Sequence, residues 1–282
     1  MEGVGTMEAN GHLDKTTKNG QRYDIFMFNN ELDMLEIRLN ILSPYVDMFI
    51  LVEANCTFSG MNKKLNYFEN RSRFTQFNDR IIHYVITDTP HDFEDKECDQ
   101  EILNLAFHSP NVTREDPCWL REFYQKEKIK KIVEKLDPND ICYISDVDEI
   151  WNYNLDVDVH GQIYKFRIDR TYIEYLDKRT NEDWTCFTGP IVAKSSVLKP
   201  FVLNHVRAQL REDPLFEYIS DGGWHFNALG GINKKITDFQ HPVYTKRYMR
   251  RRSKTFMIDD EGLPKYLLDN RSTYSHLFYE ND

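Results

Sequence analysis

The sequence predicts an α/β fold: a helix-flanked sheet in the first half, then a smaller mixed region. Strand, helix and strand patterns follow each other within residues 23–55, which is a βαβ unit and predicts a parallel sheet. A long amphipathic helix pattern over 119–136 then leads into an apolar strand at 141–144. After Trp151 the segments alternate between apolar and polar residues, as half-exposed antiparallel strands do. Together these patterns predict a mixed central sheet.

The N-terminal elements can be assigned in order. Residues 1–21 are polar and aperiodic, so we expect a mobile tail. Residues 23–28 are a predicted strand, and Asn30 stands three positions before Asp33, as in a capping box at a helix start. The helix stripe that follows is made of leucines at helical spacing: Leu32, Leu35, Leu39 and Leu42. Residues 48–52 form the next predicted strand, which ends at Glu53.

A third strand is predicted at 81–86, and the polar stretch 91–113 reads as a surface insertion or lid. The helix pattern over 119–136 is the clearest in the chain. Its apolar face is Ile129, Ile132, Val133 and Leu136. Its lysines, expected to form a solvated outer face, are Lys126, Lys128, Lys130 and Lys131. In the second half, the strand-like segments are 163–168, 172–175, 191–194 and 201–206.

The stretch 141–151 joins an apolar strand to three carboxylates, at Asp146, Asp148 and Glu149. Side chains alternate along an extended chain, so Asp146 and Asp148 should point the same way and converge. Converging carboxylates favour a hard divalent cation, Mg²⁺ or Mn²⁺. The pattern therefore predicts a metal site at a strand end, where open α/β folds bind ligands. The alternative is an acidic loop after a core strand.

A second motif is Gly222-Gly223-Trp224-His225. Paired glycines allow a backbone to approach a ligand closely. His225 is a candidate third metal ligand or phosphate contact, the alternative being a structural histidine. Trp224 is a candidate sugar platform or a core plug.

Composition restricts the function classes. The chain has 282 residues and a net charge of −10, which argues against a nucleic-acid partner. Its one basic cluster, residues 246–254, would suit a diphosphate or an anionic partner, or be a helix with solvated faces. The sequence has no apolar run long enough for a membrane span or a secretory signal, so we expect a soluble cytoplasmic protein. The alternative is a Golgi luminal domain whose anchor has been removed.

Six separated segments, in order, resemble glycosyltransferase family 17. They are residues 29–39, 49–60, 121–124, 144–150, 222–226 and 264–270. The resemblance implies a GT-A fold, with a nucleotide-sugar half over 22–151 and an acceptor half over 152–282. It also implies a UDP-sugar donor, UDP-GlcNAc in the first place and a different donor sugar as the alternative, with Mn²⁺ or Mg²⁺ as cofactor. The expected reaction is inverting transfer onto a glycan or glycoprotein. An unanchored member fits a microbial or viral source, which in the viral case means the host cytoplasm.

Within this interpretation, Asp148 holds the cation, and Asp146 ligates it or holds the ribose. The acceptor hydroxyl needs a base, for which Asp221 is the first candidate. Glu217 and Asp183 are the other candidates.

Glu53, at the end of a predicted parallel strand, is expected to hydrogen-bond to ribose or base. Arg121 is expected to meet the diphosphate. The alternative for both residues is an ion pair between helix and sheet.

Two other functions remain open. A haloacid dehalogenase-type phosphohydrolase also carries Asp-x-Asp after an apolar strand, but Ile150 stands where that class has Thr or Val. A non-catalytic glycan-binding descendant would keep the fold motifs and lose activity.

Overall fold

A mixed β-sheet forms the centre of the molecule. The computed structural model describes residues 7–8, 20–110, 112, 116–180, 187–208, 213–239, 245–246 and 256–279. Within them the larger sheet has eight strands in the order β1-β4-β3-β2-β5-β10-β7-β11. Their bounds are β1 Met7–Glu8, β2 Arg22–Met27, β3 Met48–Ala54, β4 Ile81–Ile86, β5 Ile141–Asp146, β7 Ile163–Ile168, β10 Phe187–Lys194 and β11 Phe216–Ile219.

Strands β2, β3, β4 and β5 run parallel to one another. Strand β10 runs antiparallel to both β5 and β7. The helix α1, Leu32–Leu42, connects β2 to β3. The predicted βαβ unit and the predicted α/β fold with a mixed central sheet are therefore confirmed. Met7–Glu8 pairs with β4, and most of the predicted mobile tail, 1–21, lies outside the described residues.

Because parallel strands share one C-terminal edge, the residues after β2, β3 and β5 meet there. This edge carries Glu31, Glu53, Asp146 and Asp148. Alternate residues of each strand enter two separate apolar cores, one on each sheet face. Phe26 of β2 joins one core with α1, and Ile25 joins the other with the helices that precede β5.

A second sheet of five strands, in the order β13-β9-β8-β12-β6, packs in the second half. These strands are β6 Glu149–Trp151, β8 Arg170–Ile173, β9 Lys178–Thr180, β12 Gly223–Asn227 and β13 Phe256–Ile258. Strand β12 pairs antiparallel with β6 and parallel with β8. Since β6 follows β5 after a two-residue turn, this turn links the two sheets.

The remaining helices border the sheets. They are α2 Asn66–Asn70, α3 Gln100–Phe107, α4 Pro117–Glu127, α5 Ile129–Val133, α6 Ser195–Leu198, α7 Leu203–Ala208, α8 Ile232–Phe239 and α9 Lys265–Asp269. Residues 71–80 and 275–277 form 3₁₀ turns. None of the helices described is long and apolar enough to span a bilayer.

Three local predictions are wrong. The helix predicted over 119–136 is split at Lys128 into α4 and α5. The strand predicted over 201–206 is mostly helix α7, because the buried Glu127 carboxylate accepts the N–H groups of Leu203 and Asn204 at its start. The residue before the first turn of α1 is Glu31 rather than Asn30, and the Glu31 side chain does not cap the helix.

The lysines of α4 and α5 do not form a solvated face. Lys128 and Lys130 are buried, and Lys126 is largely covered. The Lys128 ammonium lies 2.9 Å from the Asp88 carboxylate, and that of Lys130 binds the carbonyl oxygen of Lys199 at 2.6 Å. Helical periodicity alone could not reveal this, because neighbouring segments cover the outer face of the helices.

Candidate active site

The acidic motif is a turn rather than an extended chain. Asp146 ends β5, Val147 and Asp148 form the turn, and Glu149 begins β6. Val147 is buried in the core that contains α1. The predicted convergence of Asp146 and Asp148 assumed continued strand alternation, which the turn interrupts, so the convergence stays a prediction. The two carboxylates bind different cationic side chains.

Arg38 of α1 holds this turn in place. Its Nε and Nη2 donate to the two carboxylate oxygens of Asp24 at 2.8 and 2.7 Å, and both side chains have 0% exposure. Its Nη1 donates to the carbonyl oxygens of Glu149 at 2.7 Å and Asp146 at 3.0 Å. Nη2 also reaches the Ser145 hydroxyl at 2.6 Å. One buried guanidinium therefore connects β2, the end of β5 and the turn.

Asp146 lies between two cations. Arg207 Nη1 donates to its Oδ1 at 3.0 Å, and Lys126 Nζ donates to its Oδ2 at 3.2 Å. Burial works to raise the pKa of Asp146, but the charges of Arg207 and Lys126 outweigh it and hold this pKa well below its ordinary range. Both Asp146 oxygens are engaged within the protein, which disfavours the predicted role of this residue as a metal ligand.

Arg207 also binds a second carboxylate. Its Nη2 donates to Glu149 Oε2 at 2.9 Å, and the Asp146 N–H donates to the same oxygen at 3.1 Å. Burial, reinforced by the charges of Asp146 and Asp148, raises the pKa of Glu149 to about 7 in spite of Arg207. Sequence analysis missed Arg207, because it lies in a short helix 61 residues from Asp146 with no motif around it.

Asp148 faces a small recess at the same sheet edge. The recess is bounded by α1, the turn, β12 and α8, and its lining includes Glu31, Met34, Asp148, Phe226, Leu229 and Lys235. Lys235 Nζ lies 3.3 Å from Asp148 Oδ2 and 3.1 Å from Glu31 Oε1, so one ammonium joins two carboxylates.

Glu31 is held firmly beside this ammonium. Its other oxygen, Oε2, accepts the N–H groups of Asn29 and Asn30 at 3.1 and 3.0 Å. Burial opposes ionisation of Glu31, yet Lys235 and these N–H groups lower its pKa. No signal in the sequence distinguished Glu31 or Lys235.

His225 lies near this recess, with its Nε2 3.9 Å from Asp148 Oδ2. Among the residues described, no three His, Cys, Asp or Glu side chains are grouped as a metal site would require. The predicted metal set of Asp146, Asp148 and His225 is thus not assembled in this arrangement.

The paired glycines bring backbone to backbone rather than to a ligand. A Cβ on Gly222 would lie 2.7 Å from the Arg167 backbone, and one on Gly223 would lie 2.1 Å from the Ile150 carbonyl oxygen. Trp224 is 4% exposed, stacks on Tyr153 with ring centroids 5.9 Å apart, and donates to the Gly262 carbonyl. Of the two alternatives for Trp224, the structure therefore favours a structural residue packed in the core over a sugar platform.

The two described base candidates lie away from Asp148. Asp221 pairs with Arg170 at 2.6 Å and binds Asn152, at the opposite end of β6 from Asp148. Four residues of strand separate Asn152 from Asp148, about 13 Å. Glu217 lies on the edge strand β11, three strands from β5 and so roughly 14 Å away. Asp183 lies outside the described residues.

Glu53 and Arg121 are each engaged by protein groups. The Glu53 carboxylate binds Lys63 at 2.8 Å, His83 at 3.0 Å and the N–H groups of residues 66 and 67. Arg121 donates to the carbonyl oxygens of Phe58, Pro90 and His91. These contacts fit the structural alternative, and contact with a donor remains a prediction. Apart from Lys246, the charged residues of the predicted basic cluster also lie outside the described part of the chain.

Comparison with known proteins gives a family match. The family model described as "Glycosyltransferase family 17" matches residues 6–155. Among solved structures, the galactosyltransferase LgtC, in complex with donor and acceptor sugar analogues, is similar at 8% identity with a TM-score of 0.38. The match covers 84% of this chain and 85% of that one. No curated protein matches the sequence.

Proposed function

The chain belongs to glycosyltransferase family 17, and on this premise we propose that it transfers a sugar from a nucleotide donor to a glycan or glycoprotein hydroxyl. The donor we propose is UDP-GlcNAc, and the product a β linkage formed with inversion. The family match covers the β2–α1–β3 unit and the acidic turn, which together build the recess. It leaves the phosphohydrolase alternative without support.

The observation that carries the proposal is the placement of Asp148. Its carboxylate lines a recess at the C-terminal edge of parallel strands, where open α/β folds bind nucleotides. Met34, Phe226 and Leu229 give this recess apolar walls, while Glu31, Asp148 and Lys235 supply charge. An apolar site with a few convergent polar groups is the usual form of a small-molecule site.

Of the predicted metal ligands, Asp148 is the one that lines the recess, and carboxylate oxygens are the ligands that Mg²⁺ and Mn²⁺ prefer. Its Oδ2 now shares the Lys235 ammonium with Glu31, whose two oxygens are both engaged by protein groups. Asp148 is therefore the proposed holder of the cation, with His225 next to it. When bound, the cation would stabilise charge on the departing diphosphate as a Lewis acid.

The chain's own side chains then have distinct tasks. Arg38 fixes the turn, so Asp148 is preorganised at the recess, and preorganised charge is the main source of electrostatic catalysis. Lys234 and Lys235 line the recess, where a leaving diphosphate can accept their hydrogen bonds. Asp146, neutralised by Arg207 and Lys126, supports the edge beneath the site.

An inverting reaction needs a base at the acceptor hydroxyl. The candidates that we propose are Asp221 first, then Glu217 and Asp183. We therefore propose to substitute each of the three by its amide and to compare turnover. Loss of turnover with intact donor binding would identify the base.

The deciding experiment is calorimetric titration of UDP with and without Mn²⁺, together with a donor screen that measures nucleotide release. We expect metal-dependent UDP binding, release of UDP from UDP-GlcNAc, and loss of both in Asp148→Asn. Asp158→Asn is the matched control, because the Asp158 side chain is 81% exposed and, within the described part of the chain, pairs with the exposed His160. Glycan binding without any turnover would instead favour the non-catalytic alternative.

A further inference from the structure

Arg207 binds the acidic turn on both sides of Asp148. Its Nη1 donates to Asp146 Oδ1 at 3.0 Å, and its Nη2 donates to Glu149 Oε2 at 2.9 Å. Its Nε donates to the carbonyl oxygen of Gly189 in β10 at 3.2 Å, so all three nitrogens of the guanidinium are engaged. Since Asp148 lies between the two carboxylates that Arg207 holds, the place of Arg207 affects how Asp148 faces the recess.

The helix that carries Arg207 is too short to hold its own conformation. α7 has six residues, and an isolated helix of fewer than about 12 residues is marginal in water. Leu203 and Val206 enter the apolar core that also contains Ile25. These apolar contacts decide which face of α7 is buried, but they have no direction of their own. The exact placement of α7 therefore depends on polar contacts at its two ends.

Two buried charged side chains from other elements hold these ends. At the start, the Glu127 carboxylate of α4 accepts the N–H groups of Leu203 at 3.0 Å and Asn204 at 2.8 Å. At the end, the Lys165 ammonium of β7 donates to the Val206 carbonyl oxygen at 2.5 Å. Glu127 and Lys165 both have 0% exposure. Each charge has the sign that stabilises the helix end it contacts.

We infer that α7 positions the acidic turn for donor binding, and that Glu127 and Lys165 act on the site through α7 and Arg207. This inference rests on the proposed function, because it concerns binding of the donor. The three are positioning residues, since none of them lines the part of the recess that the structure describes. When α7 leaves its place, Arg207 leaves with it, and the turn loses its support on both sides of Asp148. Donor binding and docking of α7 therefore favour each other, and this coupling is reciprocal.

The charge of Glu127 makes the docking of α7 depend on pH. Burial raises the pKa of Glu127 to about 7, against the two N–H groups and the charge of Lys130, and the charge of Glu134 raises it further. An opening of α7 that exposes Glu127 to water returns this pKa towards 4.5. Protonated Glu127 therefore contributes its full share to docking below pH 4.5, and this contribution is lost as pH rises through 7.

The other titratable groups that contact α7 do not produce this trend. Burial lowers the pKa of Lys165 to about 8, and the charge of Arg207 acts in the same direction, so Lys165 stays mostly charged between pH 5 and 7. His205 of α7 bonds to the Ser109 hydroxyl, and burial lowers its pKa from 6.5. The docked helix thus disfavours protonated His205, whose contribution to docking rises with pH. A docking free energy that falls with pH therefore indicates Glu127.

Hydrogen exchange of the α7 amides, corrected for the intrinsic effect of pH, measures this opening. We expect the open fraction of α7 in the wild type to rise about 40-fold between pH 5 and 7. In Glu127→Gln, whose side chain at this position cannot ionise, the open fraction should not rise. Glu101→Gln is the matched control: the Glu101 side chain lies in the neighbouring α3 and is 56% exposed, so this variant should keep the wild-type profile.

The amides of α1 are the internal reference for opening of the whole molecule. We expect α7 to exchange faster than α1 at every pH, as a separately opening element does. If α7 and α1 exchange with equal protection, α7 opens only when the whole molecule unfolds, and the inference is overturned. It is also overturned if Glu127→Gln shows the same rise with pH as the wild type.

UDP binding tests the connection to the site. At 100 times its Kd and in the presence of Mn²⁺, UDP should slow α7 exchange in the wild type about 100-fold, because the docked state is the one that binds. Arg207→Met breaks the connection, so UDP should bind it more weakly and leave its α7 exchange unchanged. Arg207→Lys keeps the charge and should recover part of both effects.

The outcomes separate this inference from the proposed function. If UDP binds the wild type but leaves α7 exchange unchanged, the positioning role is overturned and the proposed function stands. If UDP does not bind the wild type, with or without Mn²⁺, both fail. The wild-type comparison decides the matter even where an Arg207 variant does not fold.

Discussion

Substitution of Arg38 tests how the acidic turn is held. In Arg38→Met the Asp24 carboxylate keeps its 0% exposure but loses both guanidinium hydrogen bonds. Breaking a buried ion pair by removal of one partner costs about 3–5 kcal/mol. The carbonyl oxygens of Asp146 and Glu149 also lose a donor, at about 1–3 kcal/mol each if they stay dry. Against a total stability of roughly 5–15 kcal/mol, this loss is severe.

The assay is urea unfolding at constant pH, combined with Mn²⁺-dependent UDP binding. Arg38→Lys keeps the charge but not the two-pronged geometry, so we expect a smaller loss of about 1–3 kcal/mol and weaker UDP binding in a folded protein. Arg73→Met is the matched control: Arg73 also pairs with two carboxylates, Asp33 and Glu36, but is 35% exposed. Its loss should be at most about 1 kcal/mol.

The double variant Asp24→Asn/Arg38→Met separates the ion pair from the turn. It leaves no buried unpaired carboxylate, so we expect it to recover part of the stability lost in Arg38→Met. The turn still lacks its donor, so UDP binding should not recover. An Arg38→Met protein that is as stable as Arg73→Met and binds UDP normally would refute the anchoring role.

Two further predictions concern a glycine and a buried acid. Gly223→Ala should lower the free energy of unfolding in urea by at least about 2 kcal/mol, because φ is +135° and the new Cβ would meet the Ile150 carbonyl. In the control Gly161→Ala the new Cβ has nothing within 4 Å, so the change should stay within about 0.5 kcal/mol. Equal losses of stability in the two variants would contradict this prediction. Burial raises the pKa of Glu127 from 4.5 to about 7. Protonated Glu127 therefore contributes its full share to the free energy of unfolding below pH 4.5. This contribution, about 3 kcal/mol in total, is lost as pH rises through 7. The glutamine side chain of Glu127→Gln cannot titrate, so the unfolding free energy of this variant, measured from pH 4.5 to 8, should lack this decline. If the variant and the wild type show the same pH profile, Glu127 is not the cause of the decline.

The regular elements of the first half were predictable from the sequence. Strands at 23–28, 48–52 and 81–86 and the helix between the first two appear with only small shifts of their ends. Their apolar periodicity reports burial directly, and local pattern and tertiary packing agree there. Prediction was wrong where a distant partner decides the conformation. Residues 201–206 look like a strand, but the Glu127 carboxylate caps them as a helix.

The candidate site was only partly predictable. Of the two motif aspartates, Asp148 lines the recess, and its role as a metal ligand at a sugar-transfer site stays a prediction. The motif did not indicate Lys235, Arg38 or Arg207, which contact it from distant parts of the chain. Nor did it indicate Glu31, which meets Asp148 only through the shared Lys235 ammonium among the contacts described. A lone charged residue carries no signal in a single sequence, because solvated and buried charges look alike there.

The sequence by itself determined the α/β class, the position of the acidic motif at a strand end, and the family, since periodicity and motif order are properties of the chain. Only the tertiary structure decided which carboxylate faces open space. The turn after β5 directs Asp146 toward Arg207 and Lys126, and Asp148 toward the recess and Lys235. The physical reason is that a buried carboxylate must find a positive partner, and folding, rather than sequence spacing, brings that partner to it.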